Sequence, residues 1–316
     1  MFLRTRLVIG LILALPGLAS ACSSCGCTLN SDWSSQGYAA GAGLRLDLRF
    51  DYFNQDELRS GTHSVSRSAL EVPNEEEIQR TTVNRNTSLG IDYAPSRRWG
   101  VNIQLPYFDR FHSTLAEGDS ALSYSHSRSI GDVRITGRFQ GFDAQGSTGL
   151  LFGLKLATGK TNVDFYAGPQ AGEEVDKGLQ PGTGTTDALL GVYHVGNISP
   201  TLGYFAQVLW QQPLAAHDDF KPGAGLNVNA GLRYTGWSGI SPQLQFSARA
   251  EKRESGAAAD IDNSGATLLY LSPGMSFRMT SHLDGFAYVQ WPIHQRVNGL
   301  QLEPERLYSV GLQYRL

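Results

Sequence analysis

The segment 43–53, GLRLDLRFDYF, places a charged side chain at every second position between large apolar residues. The charged members are Arg45, Asp47, Arg49 and Asp51. A period of two is typical of a β-strand, because successive side chains point to opposite faces. In a soluble sheet the charged face would meet water and the apolar face a core, whereas in an outer-membrane barrel the apolar face would meet lipid and the charged face a wet lumen.

The same alternation recurs along the chain and is interrupted by clusters of Gly, Pro, Asn and Asp. Most of the alternating segments run for about ten residues, the length that a tilted strand needs to cross a bilayer. The pattern predicts twelve strands, near 43–53, 83–94, 98–109, 130–142, 147–158, 187–197, 201–212, 224–235, 242–252, 267–279, 283–292 and 306–316.

The connections between these segments alternate between long and short. The long ones are 54–82, 110–129, 159–186, 213–223, 253–266 and 293–305, and the short ones are 95–97, 143–146, 198–200, 236–241 and 280–282. Outer-membrane barrels have this asymmetry, with long loops outside and tight turns at the periplasm, whereas a soluble two-layer β-structure, the alternative, has no reason to sort its loops. The sequence therefore predicts an all-β, twelve-stranded antiparallel transmembrane β-barrel in the bacterial outer membrane, with both termini periplasmic.

The first 21 residues have the three parts of a signal peptide. Arg4 and Arg6 give a basic start, the apolar run 7–18 follows, and Ala19-Ser20-Ala21 is a small-residue cleavage site. The run is too short to span a bilayer as a helix. We expect a signal peptide at 1–21, a periplasmic segment at 22–42 and a barrel at 43–316.

Composition agrees with a polar-lined barrel and gives no support for one class of partner. Only 41% of the residues are apolar, and the mean hydropathy is −0.23. Membrane barrels have such values because half of each strand is polar and the loops are wet. The chain carries 26 basic and 29 acidic side chains, and this slightly acidic balance gives no support for nucleic-acid binding.

The charged strand positions predict the lining of a lumen and its selectivity. We expect lumen positions at Arg45, Asp47, Arg49, Asp51, Asp132, Arg134, Arg138, Arg249, Glu251 and Arg315. Their mixed signs argue against strong ion selectivity and allow the side chains to pair across neighbouring strands. The prediction is a passive channel or transporter for small solutes, hydrophobic ones among the candidates, with no catalytic residue.

Two short motifs carry a family resemblance. Gly131-Asp132 opens one predicted strand, and the next ends in Leu156-Ala157-Thr158-Gly159. This resembles the outer-membrane transporter family named after the phenol-degradation meta-pathway, which shows a "GD" strand start and an "lklPtG" strand end. Ala157 stands where that family often has Pro. The resemblance extends loosely over residues 40–316 and implies a barrel channel for small, often hydrophobic compounds.

The three cysteines, Cys22, Cys25 and Cys27, lie within six residues directly after the cleavage site. The spacing CxxCxC can present thiolates to Cu or Zn, although three ligands leave a zinc site incomplete. Two alternatives to metal binding stay open: a disulfide formed in an oxidising periplasm, and lipidation of Cys22. A second hypothesis for function follows, in which the barrel is a scaffold for a periplasmic metal or redox protein held by this segment.

An enzymatic reading rests on Ser125-His126-Ser127, since some outer-membrane barrels hydrolyse lipids with Ser and His. No Asn or Asp follows in an arrangement that would orient the base, which a nucleophile requires. The sequence therefore favours a protein that is not an enzyme and needs no resident cofactor. Its expected partners are outer-membrane lipid, a small solute and, under the second hypothesis, a periplasmic protein.

Overall fold

The computed structural model describes residues 41–143 and 145–316, which form β-strands and two short 3-10 helices. The strands are β1 (Gly43–Gly61), β2 (His63–Ser64), β3 (Ile78–Ala94), β4 (Trp99–Leu115), β5 (Ser123–Ile130), β6 (Arg134–Phe139), β7 (Thr148–Lys155), β8 (Asp187–Ser199), β9 (Leu202–Pro213), β10 (Gly225–Tyr234), β11 (Ile240–Glu251), β12 (Ala266–Arg278) and β13 (Leu283–Arg315). In this part of the chain no helix is long and apolar enough to cross a membrane.

The strands close into one antiparallel barrel. Eleven of them form the ring, because β13 pairs with β1 as well as with β12, and β2 and β5 lie outside this path. The connections 95–98, 140–147, 200–201, 235–239 and 279–282 are short, and the start of β1 and the end of β13 lie at the same end as these turns. We call this the turn end and the opposite one the loop end.

The 33-residue element β13 reverses direction inside its span. Its first part pairs antiparallel with β12 up to Val297, and its second part pairs antiparallel with β1 from Val297 to Arg315. A ring with an odd number of members can be antiparallel throughout only if one member reverses, and Gly299, with φ of 54°, lies where this reversal occurs. The predicted strands 283–292 and 306–316 are thus one continuous element.

The alternation of exposure along the strands separates a lipid face from a lumen face. In β1, Leu46, Leu48 and Phe50 are each more than a third exposed, whereas Arg45 and Asp51 are each 5% exposed. The same parity holds in β4 and at the end of β13. The exposed rows form an apolar band around the barrel. The buried rows that line its interior are mainly polar, and an apolar cluster that includes Phe53, Leu268 and Leu307 lies on the inner face of β1, β12 and β13.

The structure corrects the predicted boundaries mainly at the loop end. β1 extends to Gly61, β3 starts at Ile78 and β4 extends to Leu115, so parts of the predicted loops 54–82 and 110–129 are strand. The predicted strand 130–142 is wrong in another way: β6 covers only its middle, and β5 precedes it across a break at 131–133. In these extensions the residues are mainly polar, and the few apolar ones, such as Leu58 and Ile78, do not recur at every second position, so the sequence loses the alternation that marks a strand.

Candidate functional site: the lumen and its interrupted wall

An ion-pair network crosses the lumen face near the turn end. Arg45 Nη1 lies 2.9 Å from Asp92 Oδ1, and Arg138 Nη1 lies 2.5 Å from Asp92 Oδ2. All three side chains are at most 6% exposed. Two guanidinium groups therefore share one carboxylate, and this charge-assisted bonding satisfies an anion that would otherwise be costly to bury.

Arg138 reaches Asp92 across an intervening strand, and a glycine makes this passage available. Arg138 in β6 is paired with Gly100 in β4, and β4 separates β6 from β3, which carries Asp92. A Cβ atom at Gly100 would lie 2.4 Å from Arg138 Cζ. The network thus depends on a missing side chain as well as on three charged ones.

The other predicted lumen residues of β1 and β6 also have partners inside the barrel. Asp47 accepts a hydrogen bond from Gln313 at 2.7 Å, Arg49 lies 2.8 Å from Asp51, and Arg134 donates to Gln211 in β9. The bond from Arg134 joins two strands that are not neighbours in the barrel.

The predicted residues of β11 and β13 form two separate groups. Arg249 is paired with Glu251 and donates to Asn227 in β10. Arg315 lies 2.9 Å from Asp284 at the turn end and is about a third exposed. These nine predicted residues therefore belong to several separate small groups along the lumen face and not to one binding cluster, and the tenth, Asp132, lies between β5 and β6.

The barrel wall is interrupted at β5. This strand pairs with β4 on one side, but on the other side no strand of the described chain pairs with it, and β7 pairs only with β6 and β8. The bridge from Tyr124 to Ala167, a hydrogen bond from Gln170 N to Ser123 Oγ and a 3.4 Å contact from Lys160 N to Ile130 O link it to the segment that follows β7. Between these links the second edge of β5 has no ladder partner.

The segment 156–186, which we call the inner loop, fills the interior beside this break. Arg110 on the lumen face of β4 donates to the carbonyl of Leu179 at 2.6 Å, and the ring of His112 lies 6.4 Å from that of Phe165. The inner loop has its own apolar cluster, in which the buried side chains are Val163, Phe165, Val175 and Leu179. It therefore packs as a folded unit against the inside of the wall.

The two motifs that carry the family resemblance meet at the base of the inner loop. Asp132 Oδ1 accepts the N–H of Gly159 at 2.9 Å, and Thr158 Oγ1 accepts the N–H of Val133 at the same distance. Gly131-Asp132 thus lies in the break between β5 and β6 and not at the start of a strand, which corrects the prediction from the sequence. These two hydrogen bonds attach the start of the inner loop to the chain at the point where the strand is interrupted.

Asp132 is also the centre of a buried polar hub. It accepts Lys155 Nζ at 2.8 Å and the N–H of Thr183 at 3.0 Å, and Lys155 lies 3.3 Å from Asp187. The hub joins β7, β8 and both ends of the inner loop. Sequence reasoning identified Asp132 but missed Lys155 and Asp187, although both stand at the polar end of an alternating segment.

A carboxyl group of the inner loop lies in a place that disfavours charge. Part of Asp176 is exposed to water. Desolvation of its carboxyl group by the surrounding protein nevertheless raises its pKa well above the usual range for aspartate, and the negative charges of Glu77 and Asp260 raise it further. Glu77 itself lies 4.0 Å from Nε2 of His112. The carboxylates of three different loops thus converge inside the loop end.

The serine and histidine of the enzymatic reading lie on opposite faces. His126 is outside the barrel, with Nε2 2.8 Å from Asp109, whereas Ser125 and Ser127 are buried on the lumen side. The carboxylate that the sequence did not reveal is therefore present, but neither adjacent serine shares a face with the imidazole.

The closed antiparallel barrel, its apolar outer band and its mainly polar interior define the fold of an outer-membrane β-barrel channel. Neither a protein-family model nor a curated protein sequence matches the chain. The family suggested by the two motifs is therefore unconfirmed, although the fold agrees with it. Cys22, Cys25 and Cys27 lie outside the described residues, and their role stays a prediction.

Among solved structures, the chain is similar to the COG4313 outer membrane channel from Pseudomonas putida F1, with a TM-score of 0.65 and 11% identity over 91% of this chain and 99% of that chain. At this identity the similarity shows the fold. It is less similar to the toluene transporter TbuX of Ralstonia pickettii, with a TM-score of 0.48 and 8% identity over 91% of this chain and 98% of that one. The translocator domain of the autotransporter NalP from Neisseria meningitidis has the same TM-score at 14% identity, over 90% of this chain and 91% of that one.

Proposed function

We propose that this protein is a non-enzymatic outer-membrane channel for small solutes, in which the inner loop and the interrupted wall control passage. The observation that carries the proposal is a closed barrel whose wall is broken beside a loop folded into its interior. The fold shared with an outer membrane channel supports it. The long loops then face the outside and both termini the periplasm, as in other barrels of this type.

Passage along the barrel axis would meet charged groups of both signs. At the turn end the Arg45–Asp92–Arg138 network projects from the wall, and selectivity would come from it and from the other lumen residues, Asp47, Arg49, Asp51, Asp132, Arg134, Arg249, Glu251 and Arg315. Such a lining stabilises small polar solutes in water without strong preference for either sign of charge.

The break beside β5 offers hydrophobic solutes a different exit. Ile130, the last residue of β5, is exposed on the lipid face at this break, and the apolar cluster of the inner loop lies on the lumen side, where Phe165 contacts His112. A solute that leaves through this gap would enter the apolar core of the membrane without crossing the charged turn end. This route makes small hydrophobic compounds the preferred solute class, and the solutes named for similar structures, such as toluene, belong to that class.

The first test is loosening of the inner loop. Replacing Val163, Phe165 and Val175 by Ser removes its apolar cluster, and we expect larger single-channel conductance in planar bilayers and faster uptake of toluene into proteoliposomes. The matched control replaces Val72, Leu214 and Ile261, exposed apolar residues of other loops, by Ser. Electrophoretic mobility checks that the barrel of each variant is folded. If the first variant is folded and its conductance and uptake are unchanged, the loop has no gating role.

The scaffold hypothesis rests on the cysteines alone, and a cysteine-free variant separates it from the channel. With Cys22, Cys25 and Cys27 replaced by Ser, a channel keeps its solute flux, whereas a scaffold loses bound Cu, Zn or a periplasmic partner. Metal content and co-purified protein are the readouts, measured beside conductance on the same sample.

A further inference from the structure

One row of residues on the outer surface changes from aromatic to cationic between neighbouring strands. Tyr308 is paired with Tyr52, Tyr52 with Arg85, Arg85 with Asp109, and Asp109 with Arg128. The row therefore runs from the end of β13 through β1, β3 and β4 to β5. All of its side chains point out of the barrel, because they share the parity of the exposed strand positions.

This row lies at the edge of the apolar band. Two residues nearer the turn end, the next row is formed by Val310, Phe50, Thr87, Tyr107 and Ile130. Four of these five side chains are large and apolar or aromatic, and all four are exposed. Tyrosines and arginines at such a border are placed where acyl chains end and lipid head groups begin.

The charges at this border do not balance. Asp109 lies 3.7 Å from Arg85 Nη1, 3.3 Å from Arg128 Nε and 2.8 Å from His126 Nε2. One carboxylate thus serves two guanidinium groups and an imidazole, so the cluster is cationic even when His126 is neutral. Each of these ion pairs uses one nitrogen of its arginine, and the side chains of Arg85 and Arg128 are 46% and 65% exposed.

Main-chain donors stand beside the arginines. Tyr124 bonds through both N–H and C=O to the inner loop, away from β4. Since these groups alternate in direction along an antiparallel strand, the N–H groups of His126 and Arg128 also point away from β4, toward the side on which no strand among the described residues pairs with β5. An anion at this edge would meet guanidinium groups and amide N–H groups together.

We propose that this cluster, centred on Arg85 and Arg128, binds the phosphate of a lipid head group in the leaflet on the loop-end side of the membrane. The guanidinium groups match a phosphate in two-point geometry. The exposed Tyr107 and Ile130 directly below offer apolar surface to the acyl chains of the same molecule. A phosphorylated amphiphile satisfies both surfaces at once, whereas free phosphate satisfies only the first. With the long loops outside, the ligand is a phosphorylated glycolipid of the outer leaflet.

The test is native mass spectrometry of the intact detergent-solubilised barrel with three probes: lipid A with two phosphates, the same lipid after dephosphorylation, and inorganic phosphate. We expect the barrel to retain lipid A with its two phosphates and to retain neither the dephosphorylated lipid nor inorganic phosphate. In the double variant Arg85→Gln/Arg128→Gln, lipid A binding should weaken about tenfold or more, as expected for the loss of charge-assisted hydrogen bonds. The control Arg278→Gln/Arg296→Gln removes the same charge from two other exposed arginines and should bind as the parent does.

Equal retention of dephosphorylated lipid, or equal weakening in the control, would overturn the proposal. Inorganic phosphate bound as tightly as lipid A would show a free-anion site and would overturn the assignment to lipid. Heat-dependent electrophoretic mobility checks that every variant is folded. Single-channel conductance of the same samples reports the channel separately, so loss of lipid binding with conductance intact concerns this cluster alone.

Discussion

At the turn end of the barrel, charged side chains from different strands bond directly to one another, whereas at the loop end they hold a loop in place of missing wall. The Arg45–Asp92–Arg138 network joins β1, β3 and β6, all members of the closed ring. The Asp132 hub joins β7 and β8 to the two ends of the inner loop. Buried ion pairs thus lock the ring at one end and fasten a separable element at the other.

The difference concerns what is lost when a pair is broken. A residue of the closed ring is held by ladders on both sides, so disturbing it disturbs the whole barrel. The inner loop is attached by individual hydrogen bonds and side-chain contacts and not by a continuous strand ladder, and it has its own apolar cluster. We therefore expect that it can detach while the ring remains closed. The first of these regions should determine global stability and the second should determine opening.

The largest effect should come from Asp92→Ala. It leaves the buried guanidinium groups of Arg45 and Arg138 without their shared carboxylate, and we expect a loss of about 3–5 kcal/mol in the free energy of unfolding. Urea unfolding in detergent measures it. Asp262→Ala, at an almost fully exposed position, is the control and should change stability by less than about 0.5 kcal/mol. Equal stability of the two variants would remove the distinction between the two ends.

Asp132→Ala should have a smaller effect and a different character. Lys155 keeps Asp187 as a partner, and the inner loop loses its bonds to Gly159 N and Thr183 N. We expect about 1.5–3 kcal/mol, seen as faster hydrogen exchange of the inner loop and not as earlier unfolding of the barrel. Asp164→Ala, an exposed position of the same loop, is the control. Global unfolding in step with the loop would show that the two regions are not separable.

Gly100→Ala tests whether the turn-end network depends on close passage of Arg138. The new Cβ atom would overlap the guanidinium group, and the expected loss is about 1–3 kcal/mol by overpacking. Gly225→Ala in β10 is matched, because there the nearest heavy atom would lie 3.8 Å away. A loss of stability at Gly225 as large as that at Gly100 would point to the backbone and not to Arg138.

The smallest effect should be a pH dependence of the inner loop. The raised pKa of Asp176 means that the packed loop binds its proton more tightly than the detached loop does, so packing is favoured at low pH. This stabilisation of the packed loop is lost as the pH rises from the ordinary aspartate pKa of 3.8 through the raised pKa of Asp176. Hydrogen exchange of residues 163–179 should therefore accelerate, relative to intrinsic rates, over this range. Asp176→Asn should abolish the dependence, and a dependence that persists would assign it to another group.

The sequence determined the lipid-facing wall, because alternation records a boundary between two solvents. Leu46, Leu48 and Phe50 must meet lipid and Arg45, Asp47 and Arg49 must not, so the phase of each strand can be read without a partner strand. The same reasoning fails beyond the band, where the residues are mainly polar and the few apolar ones, such as Leu58 and Ile78, do not recur at every second position. That is why the extensions of β1, β3 and β4 were predicted to be loops.

Only the tertiary structure decided which charges are partners and where the wall is broken. Asp92 serves Arg45 and Arg138 because β1, β3, β4 and β6 lie side by side, and no sequence spacing reports that order. Gly131-Asp132 is apparent in the sequence as a motif, but its structural role is not. That role depends on the hydrogen bond that Asp132 accepts from the N–H of Gly159, 27 positions later. Side-chain pairing across a barrel is a property of register and closure, whereas the alternation of faces is local to each strand.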